Sequence, residues 1–258
     1  MQILINEMKH WMIEAGERLK TALAQEVLEI DTKSSRTDLV TNLDKQTQEF
    51  LVERILAFDE TANILAEENG KHALESLDGR VYVIDPIDGT MNFVLEGENF
   101  CIMVGIYDDG QPVLGFIYNV MKEEFLWGGP SIGVYLNQDR VKIPTIPSLS
   151  AGLIGMNCVM YAKNVYHMQE IGHRSMGVRM SGCAGVELAH MALGRRVAYI
   201  SNLSPWDYAA GGAILAALGM KMSNLNGESL NFKDREYFLA APAAIYDEIL
   251  EIALNREK

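Results

Sequence analysis

The stretch Val81-Tyr-Val-Ile-Asp85-Pro86-Ile87-Asp88-Gly89-Thr90 organises the interpretation of this chain. Four residues typical of a β-strand lead into two aspartates that stand three positions apart. Because the apolar run predicts a buried strand, we expect both carboxylates to emerge together at its end, on a rigid element. Pro86 fixes its own φ and favours an extended conformation at Asp85, which stiffens the turn. Two anionic oxygen ligands this close suit Mg²⁺, whereas the competing interpretation is an acid-rich turn with a helix cap.

The composition limits the class of protein. The chain has 258 residues, of which 48% are hydrophobic and 22% charged, so it is long enough for one large globular domain or two intimate ones. Its formal net charge of -13 argues against a nucleic-acid partner, because binding to nucleic acid requires a basic face. An anionic substrate would therefore be held by metal ions, helix N-termini and a few local cations.

The cysteines and the apolar segments indicate where the protein works. Three widely spaced cysteines form neither a disulfide framework nor a zinc-binding pattern. The N-terminus lacks the pattern of a signal peptide, and no apolar run is long and clean enough to cross a membrane. We therefore expect a cytoplasmic protein with no membrane partner.

The rest of the chain shows alternating helix and strand patterns. Apolar residues at helical spacing predict a long amphipathic helix from residue 3 to about residue 30, followed by a polar loop, Lys33–Asp38. Asp108-Asp-Gly110 between two strand-like runs predicts a hairpin, and Gly133–Ile143 predicts a further strand. Two prolines within residues 144–150 mark a boundary between an N-terminal half, 1–145, and a C-terminal half, 146–258.

Several acids outside the opening stretch have ordinary structural explanations when each is taken alone. Thr41 and Asp44 have the spacing of a capping box at the start of a second helix. Glu67 and Glu68 end a short apolar strand and precede a turn at Gly70; because neighbouring side chains in a strand point to opposite faces, only one of them could reach a shared metal. Ser204-Pro-Trp-Asp207 is a well-formed helix start, in which the acid favours the positive end of the dipole.

Taken together, these acids favour chemistry over coincidence. Three of them close apolar strands and one opens a helix: Glu67, Asp85, Asp88 and Asp207. The predicted helix starts after Gly89, after Gly182 and at Pro205 offer backbone N–H groups to an anion. Acids for metal ions together with donors for an anion are what hydrolysis of a phosphate monoester requires.

Four segments of the chain resemble the signatures of the inositol monophosphatase family: Leu65–Glu68, Asp85–Phe93, Trp206–Gly211 and Asp38–Asp44. Their order and spacing agree from about residue 5 to the C-terminus. The resemblance implies an α/β layered sandwich of alternating helix pairs and sheets (αβαβα), usually a homodimer, with Mg²⁺-dependent and lithium-sensitive phosphatase activity. It places most metal ligands in the N-terminal half and the Trp206-Asp207 motif in the C-terminal half.

The resemblance also implies a set of metal ligands. Glu67, Asp85 and the backbone carbonyl of Ile87 would hold a first ion, and Asp85, Asp88 and Asp207 a second. Glu67 would also face a third, looser ion. The expected cofactor is thus two or three Mg²⁺ ions, with Mn²⁺ as a substitute.

The family pattern assigns further roles in catalysis and in substrate binding. Thr90, hydrogen-bonded to Asp44, would help to deprotonate the attacking water, with Glu67 as a third catalytic residue. Asp44 would then serve both as the helix-start acid and as a catalytic partner, while Glu68 receives no role. The substrate would contact a larger set of residues: Asp88, Gly89, Thr90, Gly182, Cys183, Ala184, Ser201 and Asp207.

The segment before Trp206 departs from the inositol-specific members of the family. Those members carry a glutamate there that grips sugar hydroxyls, whereas this chain has Ala198–Asn202, without an acid. Ile200 accepts no hydrogen bond, and Ser201 accepts one without charge. The stretch looks more like bacterial members with broad or nucleotide-directed specificity.

As the family default, the resemblance implies hydrolysis of inositol 1-phosphate or a related small sugar phosphate. The alternatives are the 2′-phosphate of NADP(H), adenosine 3′,5′-bisphosphate and fructose 1,6-bisphosphate. A binding or regulatory protein that keeps the fold without catalysis is the competing class, and the intact set of acids argues against it.

Overall fold

The computed structural model describes residues 1–25, 29–32, 39–68 and 76–255. The predicted loop at Lys33–Asp38 and the predicted turn at Gly70 lie outside the described residues. Eight α-helices are described: α1 (Gln2–Ala24), α2 (Asn42–Phe58), α3 (Thr90–Leu95), α4 (Cys158–Ala162), α5 (Met168–Arg174), α6 (Ala184–Ala192), α7 (Pro205–Ala217) and α8 (Ala243–Ala253).

The strands form two large sheets and one small hairpin, and they are β1 (Ile30–Thr32), β2 (Leu39–Thr41), β3 (Asn63–Ala66), β4 (Arg80–Asp88), β5 (Cys101–Asp108), β6 (Gln111–Asn119), β7 (Glu124–Gly129), β8 (Gly133–Leu136), β9 (Asp139–Arg140), β10 (Leu153–Met156), β11 (Gly177–Arg179), β12 (Ala198–Leu203), β13 (Met220–Asn224) and β14 (Glu236–Pro242). The first sheet has the order β3-β4-β5-β6-β7-β8-β9, and only its β3–β4 pair is parallel. The second has the order β11-β10-β12-β14-β13, in which β10 pairs in parallel with both neighbours.

Five layers result from the way in which these sheets bury their faces. Helices α1 and α2 cover one face of the first sheet, and α6 and α7 lie between the two sheets. Helices α5 and α8 cover the outer face of the second sheet. The alternation along β5 shows the cause: Ile102 and Val104 join the core under α1 and α2, while Cys101 and Met103 join the core under α6 and α7. The αβαβα architecture is confirmed.

Helix α7 lies unusually close to the first sheet. A Cβ atom at Gly115 of β6 would collide with the carbonyl oxygen of Ala210, and one at Gly105 of β5 would lie 2.8 Å from the carbonyl carbon of Ala209. Glycines in the strands and small residues in the helix therefore let the two backbones touch. This seating brings the N-terminus of α7 to the end of β4.

Two predicted boundaries are wrong. The first helix ends at Ala24 and not near residue 30, because Ile30 pairs with Thr41 in the β1–β2 hairpin and this pairing overrides the helical pattern. The strand predicted over Gly133–Ile143 is divided into β8 and β9, with Asn137 between them at φ 55°. The predicted hairpin at Asp108-Asp-Gly110 is confirmed, with positive φ at both central residues, as a type I′ turn requires.

The membrane prediction concerns the helices. Within the described part of the chain, none is long and apolar enough to cross a bilayer. The first sheet ends at Arg140 and the second begins at Leu153. The division into halves at residue 145 stays a prediction.

Candidate active site

Three aspartates from two elements meet beneath a cavity. Asp85 and Asp88 lie at the end of β4, and Asp207 lies in the first turn of α7. One carboxylate oxygen from each lies within 4.8 Å of the others. Asp85 and Asp88 are buried, with 1% and 6% of their surface exposed. The structure thus brings together three acids that the sequence spreads over more than a hundred residues.

A break in the strand allows Asp85 and Asp88 to face the same site. In a regular strand, residues three apart point to opposite faces of the sheet. The pairing of β4 with β5 shifts register between Asp85, opposite Met103, and Asp88, opposite Cys101. This irregularity, which contains Pro86, reorients the end of the strand, and it is the physical reason why the two carboxylates converge.

The electrostatics of the three aspartates fit a bound cation. Burial raises the pKa of Asp85 well above its usual range, and the negative charges of Glu67, Asp88 and Asp207 raise it further. The Oδ1 atom of Asp85 is buried and accepts no hydrogen bond in the described structure. A hard divalent ion such as Mg²⁺ would reduce the repulsion between these carboxylates and would coordinate the unsatisfied oxygen of Asp85.

Asp88 also holds the start of α6. Its Oδ1 accepts a hydrogen bond from the Ala184 N–H at 3.2 Å, and its Oδ2 accepts one from the Gly185 N–H. The Cys183 thiol donates to Oδ2 at 3.0 Å. Burial raises the pKa of Asp88, and these three hydrogen bonds oppose the rise. The N–H groups that the sequence suggested for an external anion are here bonded to this carboxylate.

Asp44 joins α2 to the site through its two carboxylate oxygens. Its Oδ2 accepts hydrogen bonds from the Thr41 N–H at 2.7 Å and the Thr41 hydroxyl at 2.6 Å, which completes the predicted capping box. Its Oδ1 accepts the Thr90 hydroxyl at 3.1 Å. The Thr90 hydroxyl also lies 3.0 Å from the carbonyl oxygen of Ile87. Burial raises the pKa of Asp44, and the bonds from Thr41 oppose the rise.

The two glutamates after β3 take different positions. Glu67 lines the cavity together with Asp88 and Asp207. The backbone of Glu68 is clamped by Gln48 of α2, whose amide donates to the Glu68 carbonyl at 2.9 Å and accepts from its N–H at 2.7 Å. This clamp fixes the end of β3 against α2. Sequence reasoning missed Gln48, whose partners lie twenty positions away.

Asn92 fixes the turn that follows Asp88. Its side-chain amide donates to the carbonyl oxygen of Ser181 at 2.8 Å and to that of Asn99 at 3.0 Å. The first of these bonds ties α3 to the segment that precedes α6. Gly89, with φ 87°, occupies the left-handed conformation that begins this turn.

The cavity above the aspartates has a volume of about 330 Å³. Nine residues predicted from the sequence line it: Glu67, Asp88, Gly89, Thr90, Gly182, Cys183, Ala184, Ser201 and Asp207. Ser201 and its neighbour Ile200 face opposite sides of the second sheet. Ser201 lines the cavity, whereas Ile200 is buried in the core under α5 and α8.

The cavity wall also contains residues that the sequence did not single out, among them Glu187, Tyr199, Asn202 and Arg235. Glu187 forms a buried ion pair with Arg196, with Nε and Oε2 2.8 Å apart. Arg235 lies in the loop before β14, almost thirty residues from Asp207. No local motif marks such residues, because only the packing of the second sheet brings them to the cavity.

Comparison with known proteins gives one consistent family. The model of the Inositol monophosphatase family matches residues 2–257. An inositol-1-monophosphatase of Bacillus subtilis is 36% identical over 97% of this chain and 96% of its own length. A 2′AMP-bound structure of SaIMPase-II has a TM-score of 0.88 at 33% identity, covering 98% of this chain and 95% of that one. An IMPase/NADP phosphatase complexed with Mg²⁺ and phosphate has a TM-score of 0.86 at 26% identity, covering 97% and 95%.

Proposed function

Because this chain belongs to the inositol monophosphatase family and is a metal-dependent phosphomonoesterase, we propose that it hydrolyses inositol 1-phosphate or a related small sugar phosphate with Mg²⁺. The relative from Bacillus subtilis, which is named an inositol-1-monophosphatase, supports this substrate. The observation that carries the proposal is the convergence of Asp85, Asp88 and Asp207 within 4.8 Å beside the Thr90–Asp44 hydrogen bond.

We assign the metal ligands as the family pattern implies. Glu67, Asp85 and the carbonyl of Ile87 would hold one ion, and Asp85, Asp88 and Asp207 a second, with Glu67 also facing a third. Bound Mg²⁺ supplies charge neutralisation at the phosphate oxygens, acidification of a water and stabilisation of the leaving alkoxide. The unsatisfied Oδ1 of Asp85 supports its assignment as the shared ligand.

Thr90 and Asp44 are proposed to move the proton of the attacking water. The Thr90 hydroxyl can donate to Asp44 Oδ1 while its oxygen accepts a proton from the water. Burial raises the pKa of Asp44, which makes this carboxylate a better proton acceptor. Proton transfer of this kind contributes roughly 10²–10⁴-fold to a rate. The N–H groups of Gly89 and Thr90 would orient the phosphate.

The organic part of the substrate would lie along Gly182, Cys183, Ala184 and Ser201, which line the cavity beyond Asp88. No carboxylate stands at the Ile200 position, and the Ile200 side chain points into the core. This observation supports a second candidate, a nucleotide or a sugar bisphosphate as substrate. The 2′AMP-bound structure of SaIMPase-II also supports that candidate.

A panel of phosphate-release assays with Mg²⁺ tests the proposal. We expect turnover of inositol 1-phosphate, with NADP, adenosine 3′,5′-bisphosphate and fructose 1,6-bisphosphate measured in parallel. Failure on every inositol phosphate, with turnover of a nucleotide, would replace the first candidate by the second. Failure on all phosphate esters would leave the fold as a binding or regulatory protein.

A variant at Asp88 tests the metal assignment. Asp88→Asn should abolish turnover, because the second ion loses an anionic ligand, while the chain still folds. Its melting temperature should be lower than that of the parent, since the amide NH2 cannot accept the N–H bond of α6 that one carboxylate oxygen accepts. Asp139→Asn, at an exposed position of β9, is the matched control and should keep full activity. Near-normal turnover by Asp88→Asn would refute the assignment.

We also propose, from the family resemblance alone, that the protein acts as a homodimer in the cytoplasm. Sedimentation of the purified protein tests the dimer.

A further inference from the structure

Arg235 carries the positive charge among the described residues that line the active-site cavity. Four acids share that wall: Glu67, Asp88, Glu187 and Asp207. The chain as a whole has a net charge of -13, so a local cation at this position is not part of a basic surface. An anionic group entering the cavity would meet repulsion from the acids and attraction from this single guanidinium.

The guanidinium of Arg235 is held in place before any substrate arrives. Its Nη1 donates to the carbonyl oxygen of Asn202 at 2.7 Å. Its Nη2 lies 3.6 Å from Oδ2 of Asp207, which already accepts the Ser204 N–H at 2.7 Å. The side chain is 53% exposed, so the rest of its donor edge is open to solvent. Such a fork is suited to a phosphate or carboxylate that approaches from the cavity.

Arg235 also lines a second cavity. This cavity has a volume of about 340 Å³ and shares Asn202 and Arg235 with the first. Its wall also includes Tyr166 and Tyr237, whose rings pack edge to face with centroids 5.3 Å apart. Arg235 therefore lies between the cavity above the aspartates and this second one, where a substrate that extends beyond the aspartates would meet the guanidinium.

We propose that Arg235 is a specificity-determining residue that receives a second anionic group on the leaving-group side of the substrate. The preferred substrates are then phosphate monoesters that carry another phosphate. This inference rests on the proposed phosphatase function and, within it, favours the second candidate, a nucleotide or a sugar bisphosphate, over inositol 1-phosphate. A substrate whose leaving group carries no charge would leave the guanidinium of Arg235 facing water.

A purely structural role for Arg235 predicts a different result. If Arg235 acted only by orienting Asp207, its loss would slow the hydrolysis of every substrate alike. If it receives a second anion, its loss raises KM for the doubly charged substrate and leaves the singly charged one little changed. Two matched pairs of probes separate these roles: fructose 1-phosphate with fructose 1,6-bisphosphate, and 2′-AMP with adenosine 2′,5′-bisphosphate.

The experiment compares the parent with Arg235→Gln, Arg235→Lys and Lys233→Gln in the phosphate-release assay. For Arg235→Gln we expect KM for at least one bisphosphate to rise about ten-fold, the size of a lost charge-assisted hydrogen bond at a half-exposed site. KM for the matched monophosphate should change less than about two-fold. Arg235→Lys should restore part of the difference. Lys233, exposed in the same loop and absent from both cavity walls, controls for general charge.

Binding measured by calorimetry, with Ca²⁺ in place of Mg²⁺, gives a readout that needs no turnover. The inference is supported if the parent binds a bisphosphate more tightly than the matched monophosphate and Arg235→Gln loses this difference. If no probe is hydrolysed but the difference is seen, the proposed function fails and the inference stands. Equal losses on both members of each pair, or no preference by the parent in either assay, overturn the inference. Turnover of the monophosphates by the parent would then leave the proposed function standing.

Discussion

Two carboxylates of this site, those of Asp44 and Asp88, each have a structural role and a proposed chemical role. Asp44 uses Oδ2 for the cap of α2 and Oδ1 for Thr90. Asp88 belongs to the aspartate cluster and also accepts the first N–H groups of α6. The ordinary structural explanation of each acid and its proposed chemical role are therefore compatible. A residue that caps a helix is also held rigidly, which suits a group that must orient a reactant.

His190, in the last turn of α6, gives a pH-dependent prediction. Burial lowers the pKa of His190 to about 4, and the charges of Arg196, Arg195 and Lys122 act in the same direction. Its Nδ1 is buried without a hydrogen-bond partner in the described structure. The unfolded chain, with a pKa near 6.5, binds a proton in the window between these values and the folded chain does not. The free energy of unfolding therefore falls as pH drops from about 6.5 towards 4.

The measurement is urea denaturation of the parent and of His190→Gln between pH 7 and pH 4.5. The advantage of the parent over the variant should shrink steadily as pH falls, because only the parent loses stability through this imidazole. His10→Gln, at an exposed position of α1, is the matched control. Parallel stability curves for the parent and His190→Gln would contradict the prediction.

At the scale of elements, the end of β4 is the decisive feature. The change of register between Asp85 and Asp88 lets both carboxylates face the same side at the end of this apolar strand. Helix α2 contacts this region through Asp44, which accepts the Thr90 hydroxyl, and through Gln48, which bonds the backbone of Glu68. The site is thus supported by α2, whose own N-terminus is capped by Thr41.

Variants at the cap of α2 distinguish an effect on stability from an effect on turnover. Thr41→Ala removes the hydroxyl that accepts the Leu43 N–H at 3.1 Å, so we expect the free energy of unfolding to fall by about 1 kcal/mol. Turnover should fall much less than in Asp44→Asn, which loses the proposed proton acceptor. Urea denaturation and phosphate release on the same preparations test both statements.

Thr61→Ala is the control for loss of a threonine hydroxyl, because Thr61 is exposed and bonds only within a turn to Asp59. Equal loss of turnover in Thr41→Ala and Asp44→Asn would show that Asp44 acts through the cap of α2 and not as the proton acceptor for Thr90.

At the scale of the molecule, the aspartate cluster joins the first sheet to the middle layer. Asp85 and Asp88 belong to β4, whereas Asp207 belongs to α7, which the glycines of β5 and β6 hold against that sheet. A bound ion would therefore connect two layers of the fold. Burial raises the pKa of Asp85, and the ion would offset the repulsion from the neighbouring acids that raises it further.

We expect Mg²⁺ to raise the melting temperature, by an amount that corresponds to about 2.7 kcal/mol when its concentration is a hundred times Kd. Asp85→Asn should abolish this rise. In EDTA at neutral pH the same variant should melt above the parent, because a carboxyl whose folded pKa is raised opposes folding when it is ionised. Differential scanning calorimetry measures both effects, with Asp139→Asn as control. An unchanged Mg²⁺ response in Asp85→Asn would remove Asp85 from the metal site.

The sequence by itself determined the elements whose signals are local. The hairpin at Asp108-Asp-Gly110, the capping box of Thr41 and Asp44, and the helix start at Ser204-Pro-Trp-Asp207 all depend on neighbours within a few positions. The acid motifs also sufficed to name the family and the αβαβα fold, because their spacing is specific.

Tertiary structure alone decided which side chains meet at the active site. The first helix stopped early because β1 pairs with β2, and Asp85 and Asp88 face one side because the β4–β5 register shifts. Gln48 and Arg235 reach the site through contacts between elements far apart in the chain. Such contacts depend on the packing of whole layers, and no local pattern of residues encodes which distant side chain will meet them.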